Sequence, residues 1–312
     1  MAKSIVLTGA TGLIGSALFK RLKACGNEVI VFARNPEKAR QQLTDAKKYV
    51  KWEALESEGE WQKELDGVDA VIHLAGVPVV SRWSEDYKKQ IYDSRVLSTR
   101  YLVSAIAKAS KKPEVFISAS AIGYYGNQGY GEAVEALTED APAANDFLAK
   151  VCVDWEREAL VAENLGVRTV AVRIGIVLST KSGILEKMMT PFKLFAGGPI
   201  GSGKQWVSWI HIDDEVEVFL FALERTDVRG VLNATAPEPV MMSTFASTLG
   251  KVMSRPSFFP VPKAALQVLF GDAVDVVAEG QRVVPKRLQS LGFVFKYPSL
   301  EPALKDLIER NK

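Results

Sequence analysis

Two groups of residues have the types and spacing for chemistry. The first is Thr8-Gly9-Ala10-Thr11-Gly12-Leu13-Ile14-Gly15, set behind the apolar run Ile5-Val6-Leu7 and ahead of an amphipathic stretch over residues 16–24. A glycine-rich turn between a buried strand and a helix presents unpaired backbone N–H groups at the positive end of the helix dipole, where a pyrophosphate can sit. In that geometry Gly9 turns the chain off the strand, Gly12 admits phosphate to the backbone, and Gly15 lets the helix lie close on the sheet. The second group is Ser118-Ala119-Ser120 with Tyr124 and Tyr125 just beyond it. Those hydroxyls emerge at the carboxyl end of an apolar run, and a doubly wound sheet places its ligand at that end.

The elements around these groups alternate between strand and helix. Residues 28–33 form a second apolar strand, and Arg34 follows it about 20 residues past the glycine turn. A carboxylate there would hold a ribose 2'-hydroxyl and a base accommodates a 2'-phosphate, so Arg34 favours NADP (NADPH) as cofactor. A buried strand at 69–76 ends in Leu74, Ala75 and Gly76, small enough at its edge for a nucleotide to lie against the backbone; His73 within it reads as a hydrogen-bonded core residue. One long crossover helix over residues 84–111 leads to a fifth strand at 114–121, and a helix at 146–166 leads to a sixth at 169–178. Residues 230–235 can return as a last strand. The pattern is α/β: a Rossmann-type doubly wound parallel sheet with right-handed crossovers and a smaller, mostly helical C-terminal substrate lobe. The NADP-binding domain takes residues 1–178 plus 206–236, the lobe 179–205 and 237–312, and a cleft between them suits a small-molecule substrate. Gly198 to Lys204 has the spacing of a P-loop, but Gln205 stands where magnesium needs Ser or Thr, and no strand precedes it.

Composition narrows the classes. The chain has 312 residues, 47% of them hydrophobic, and its 39 basic and 37 acidic residues are interspersed to a net charge of +2. Nothing in that balance asks for nucleic acid or a membrane. Cys25 and Cys152 are the two cysteines, far apart on helical stretches, which excludes a disulfide framework or a Cys-rich zinc site; no metal is expected. With no leader pattern and no apolar run near the roughly 20 residues of a membrane span, the expected location is the cytoplasm.

Together, Thr8 to Gly15, His73-Leu74-Ala75-Gly76, Ser118 to Gly126, Trp209-Ile210-His211-Ile212-Asp213-Asp214 and the tail Glu279 to Lys286 resemble the atypical extended short-chain dehydrogenase/reductases of the NAD-dependent epimerase/dehydratase superfamily. More narrowly they resemble the "epimerase family protein" branch, whose C-terminal domain has no assigned function. The resemblance implies that Gly9, Thr11, Gly12, Leu13, Ile14 and Gly15 hold pyrophosphate, Arg34 the 2'-phosphate, and Leu74, Ala75 and Gly76 the adenosine ribose side. Arg95 stands where such proteins carry an Asn on the crossover helix, near the dinucleotide. The chain departs from the pattern in one respect. Active members use a Tyr-x-x-x-Lys pair for proton transfer, and none of the eight tyrosines here has Lys four residues later.

Three readings of the chemistry remain open. Tyr124 or Tyr125 replaces the missing acid, tuned by Lys150 or Arg173, with Ser120 donating to substrate oxygen. Alternatively, a reaction needing less acid–base help draws on His211 or Asp213. In the third, the chain is a non-catalytic NADP-binding regulator or scaffold whose C-terminal lobe binds a partner. The first two make it an oxidoreductase or epimerase acting on a small molecule such as a nucleotide sugar. A homodimer could pair through the helices at 84–111 and 146–166.

Overall fold

The computed structural model describes residues 2–261 and 280–310. β1 (Ser4–Thr8) leads through the glycine turn into α1 (Leu13–Ala24), followed by β2 (Glu28–Ala33), α2 (Pro36–Gln42), β3 (Lys48–Lys51) and β4 (Ala70–His73). α3 (Glu85–Asp93) and α4 (Val96–Lys108) cross to β5 (Val115–Ala121), and α5 (Phe147–Leu160) crosses to β6 (Arg168–Ile174). The chain then runs through β7 (Ile176–Leu178), α6 (Ile184–Lys193), β8 (Trp206–Val207), β9 (Trp209–His211), α7 (Ile212–Glu224), β10 (Gly230–Ala234), β11 (Val240–Met241) and α8 (Met242–Met253). A short helix, Lys286–Ser290, and a longer one, Leu300–Glu309, follow.

Seven parallel strands form one sheet in the order β10-β6-β5-β4-β1-β2-β3, the doubly wound arrangement expected from the sequence. Strand periodicity sorts its side chains into two layers. Ile5, Leu7, Ile72 and Ile117 pack on one face with Leu18 of α1 and Phe219 of α7. Val6, Val71 and Phe116 pack on the other with Leu102 and Ile106 of α4. Both faces are covered, which is why these strands read as continuous apolar runs. Leu18 is fully buried, and its truncation to Ala would cost about 2–5 kcal/mol.

A smaller, largely helical C-terminal region has its own apolar cluster, in which Leu185 and Phe192 of α6 meet Phe245 of α8 and Leu304 of the helix Leu300–Glu309. β8 pairs with β11 and β9 with β7, so Val207 and Trp209 pack in this second cluster while Ile210 packs against the sheet. No helix among the described residues is long and apolar enough to cross a membrane.

The crossover expected as one helix over 84–111 is two helices. The backbone breaks at Ser94 and Arg95, where Ser94 Oγ accepts a hydrogen bond from Val77 N at 3.2 Å and donates to Ile91 O at 3.3 Å. The break turns α4 onto the sheet and leaves Arg95 at its first turn, facing the end of β4.

Candidate functional site

The carboxyl ends of β1 and β4 are tied together beneath the glycine turn. Thr8 Oγ1 accepts from Leu74 N at 3.1 Å and from Ala75 N at 3.2 Å, and lies 2.7 Å from His73 Nδ1. With its acceptor capacity used on two N–H groups, the Thr8 hydroxyl donates to Nδ1. His73 Nε2 then donates to Ser98 Oγ at 3.1 Å, and Ser98 donates to Ser94 O at 2.7 Å. Burial pushes the His73 imidazole down to about 3, so it stays neutral and holds the strand ends in place. His73 is the core residue its sequence position suggested.

Above that tie the site is mostly backbone. Gly9 has φ of +66°, and a Cβ there would stand 2.7 Å from the Leu74 carbonyl carbon. A Cβ on Gly15 would collide with the Gly9 carbonyl oxygen, so the turn, α1 and the end of β4 approach at glycine distance. Gly12 caps α1 without a side-chain acceptor, leaving the first N–H groups of the helix for a ligand; Thr11 and Gly12 are exposed, and Leu13 and Ile14 are half-buried. Arg34 is exposed at the end of β2, next to Asn35, whose side chain caps α2 by accepting from Lys38 N at 2.9 Å. Arg95 lies under Gly76, its Cζ 3.1 Å from where a Cβ would be, and donates to Val77 O at 2.9 Å and Ile91 O at 3.3 Å. Burial lowers its guanidinium from the ordinary value.

The other half of the sheet edge is a side-chain network. Parallel register sets Ser120 of β5 opposite Arg173 of β6, and Arg173 opposite Asn233 of β10. Arg173 makes a bidentate pair with Glu156 of α5, Nε to Oε1 and Nη2 to Oε2 both at 2.8 Å. Ser120 Oγ donates to the same Oε1 at 2.6 Å. Arg173 Nη1 donates to Tyr125 Oη at 2.8 Å, and Tyr125 donates to Asn233 Oδ1 at 2.7 Å. Burial alone would lower the Arg173 guanidinium, but its bonds to Glu156 outweigh that and raise it. Tyr125 is fully buried, which pushes its phenol up to about 12 despite the adjacent guanidinium.

These contacts correct two expectations. Tyr125 does not offer its hydroxyl to a ligand, because the hydroxyl donates to one buried partner and accepts from another. Lys150 does not tune either tyrosine: it is exposed on α5, and the cation against both rings is Arg173, 3.3 Å from the Tyr124 ring centroid and 5.0 Å from that of Tyr125. Tyr124 is half-buried, and among the described residues its hydroxyl has no hydrogen-bond partner. Ser120 stands at the strand end as expected, yet its proton is directed to Glu156, so toward a ligand it presents acceptor capacity. Glu156 and Asn233 were missed from the sequence. A charged residue within the apolar β6 run was the available signal, since a buried Arg requires a buried partner.

The second lobe closes this end. Leu137 pairs with Val283, Val283 N donates to Ser208 Oγ at 2.8 Å, and Arg287 N donates to Glu139 Oε2 at 3.2 Å. The tail thus lies between the β5–α5 loop and β8–β9; Glu279 of the tail motif falls outside the described residues. His211, Asp213 and Asp306 bring their ligating atoms within 4.8 Å of one another. Arg310 already pairs with both carboxylates, at 2.7 Å to Asp213 and 2.8 Å to Asp306, and His211 Nδ1 accepts from Asp213 N at 3.0 Å. That group ties the helix Leu300–Glu309 to α7. Asp214 accepts from Lys296 N and Tyr297 N, which makes it structural.

A doubly wound parallel sheet with a glycine turn at β1 and hydroxyls at β5 defines a dinucleotide-binding protein of the short-chain dehydrogenase/reductase type. Comparison sharpens the class. Residues 5–234 match the NAD dependent epimerase/dehydratase family and residues 261–307 match a domain of unknown function, DUF1731, and the chain belongs to that epimerase/dehydratase family in its DUF1731-bearing branch. It is 42% identical over 308 residues to an epimerase family protein SDR39U1 homolog, chloroplastic, of Arabidopsis thaliana, covering 98% of this chain and 87% of that one. It is 37% identical to the epimerase family protein YfhF of Bacillus subtilis over 99% of each chain. The crystal structure of human epimerase family protein SDR39U1 with NADPH superposes with a TM-score of 0.86 at 34% identity, covering 98% of this chain and 99% of that one. Family membership makes the chain an enzyme of the oxidoreductase/epimerase class.

Proposed function

We propose that the protein is an NADPH-dependent oxidoreductase or epimerase of a small molecule, in which Tyr124 takes the proton-transfer role. The observation that carries the cofactor is the pairing of the glycine turn with Arg34 at the end of β2, where no carboxylate stands. A human relative of the same length bound NADPH, which supports the choice. A structure sharing the fold at 21% identity, that of MoeE5, holds UDP-glucose with NAD, so nucleotide sugars belong in the substrate screen. The nicotinamide, when bound, supplies hydride transfer.

The chain's own groups do the rest. Backbone N–H groups from Thr11 to Gly15 receive pyrophosphate, Arg34 receives the 2'-phosphate, and Leu74, Ala75 and Gly76 with Arg95 beneath them bound the ribose. Ser120, its proton committed to Glu156, accepts a hydrogen bond from a substrate hydroxyl and orients it. The two α5 side chains nearest Gly123 are Leu148 and Cys152, four residues apart, with a Cβ on Gly123 placed 3.6 Å from Leu148 and 3.9 Å from Cys152. Burial pushes the Cys152 thiol up to about 12, and Tyr124, half-buried with Arg173 against its ring, takes the donor role.

A screen of carbonyl compounds and nucleotide sugars, followed by NADPH oxidation, tests this reading. Tyr124→Phe should lower kcat at least about 100-fold, the scale of one general acid, with NADPH affinity unchanged. Full turnover in Tyr124→Phe would overturn the assignment.

A further inference from the structure

We infer that Arg282, stacked on Trp206, is the receptor for an oxyanion, a carboxylate or a phosphate, on the small-molecule substrate. The inference rests on the enzymatic reading above and adds the substrate's charge. Its basis is a guanidinium whose Nε is buried without a partner and which makes one hydrogen bond among the described residues.

Three other partly or fully buried arginines are matched more fully. Arg173 has the Glu156 carboxylate. Arg168 donates to three carbonyls, those of Ala222, Leu223 and Val228. Arg95 donates to two. Arg282 makes one hydrogen bond among the described residues, Nη1 to Val134 O at 3.0 Å, and no carboxylate among them comes within 4.0 Å. Its Nε is buried with no partner. A buried donor left without a partner costs stability, and among the described residues no carboxylate answers this cation.

The position fits substrate better than solvent. Arg282 Cζ lies over the Trp206 ring, 4.6 Å from its centroid, a cation–π contact. Trp206 Nε1 donates to Gly131 O at 2.9 Å, and Gly131 N donates to Lys204 O at 3.1 Å. The β5–α5 loop, the loop before β8 and the tail therefore converge on this one side chain. The adjacent Val283 packs with Tyr125, and Tyr125 bonds Arg173, so the segment that carries Arg282 abuts the network at the end of β5 and β6. The N–H groups of the terminal nitrogens not spent on Val134 O are the donors for an oxyanion.

The test is calorimetric titration of the full-length protein with inorganic phosphate and, separately, with malonate, at saturating NADPH. The expected result is saturable binding of at least one anion, weakened at least about tenfold in Arg282→Gln. Arg282→Gln keeps a donor for Val134 O, and its melting temperature checks that it folds. Phosphate alone binding points to a phosphate ester, malonate alone to a carboxylic acid. Absence of binding by both anions, or equal binding by Arg282→Gln, overturns the inference. If NADPH fails to bind, the same titrations without nucleotide still test Arg282, so the two proposals fail separately. Trp206→Phe, which keeps an aromatic face, should retain the anion.

Discussion

At β1 and β4 the carboxyl edge of the sheet is made of backbone and of side chains left out, whereas at β5, β6 and β10 it is made of charged and hydroxyl side chains bound into one network. The first half leaves donors open at a helix start; the second has spent nearly all of its own. A site that must hold a large anion in many copies of one geometry is best built from fixed N–H groups. One that must order two loops and a lobe interface is built from a buried ion pair, whose geometry is exacting. The comparison assigns binding to one half and positioning to the other.

The sharpest way to break that division is Glu156→Ala. It strands Arg173 as a buried cation and should cost about 3–5 kcal/mol in urea denaturation, with the paired change Glu156→Leu and Arg173→Met recovering most of it. Next is Gly15→Ala, whose Cβ meets the Gly9 carbonyl oxygen. It should cost about 1–3 kcal/mol and lose at least about tenfold in NADPH affinity, because the overpacked turn must shift. Tyr125→Phe leaves Asn233 Oδ1 without its donor and should cost about 2 kcal/mol while NADPH affinity stays constant. Loss of nucleotide affinity in Tyr125→Phe would merge the two halves into one unit.

The smallest effect is a pH slope. His73 holds its proton affinity down near about 3 in the folded chain, against 6.5 for the free side chain. The unfolded chain therefore binds the extra proton first as pH falls below 6.5, so this contribution is full above that value and is lost toward about 3. Between about pH 6 and about pH 5 the loss is at most about 1.4 kcal/mol, and His73→Asn should flatten it.

Legibility in the sequence follows the same divide. Missing side chains are visible as letters, so the glycine turn, Gly76 and Arg34 could be read directly, and the apolar runs separated by helical stretches pointed to a doubly wound parallel sheet. Contacts made by register are not visible as letters. Ser120, Arg173 and Asn233 stand far apart in sequence and meet only because three parallel strands align. Tyr125 looked like a loop residue because its neighbours are glycines, yet the tail segment at Val283 covers it. The break at Ser94 and Arg95 carries neither Gly nor Pro; hydrogen bonds to Val77 and Ile91 make it, and those depend on where the β4 loop runs.

The measurement that bears most directly on the central claim is titration with NADPH and with NADH, wild type against Arg34→Ala, read by nucleotide fluorescence. The account predicts tighter binding of NADPH, and a loss in Arg34→Ala confined to NADPH. Equal affinity for the two nucleotides, or an Arg34→Ala variant that binds NADPH as wild type does, would contradict it.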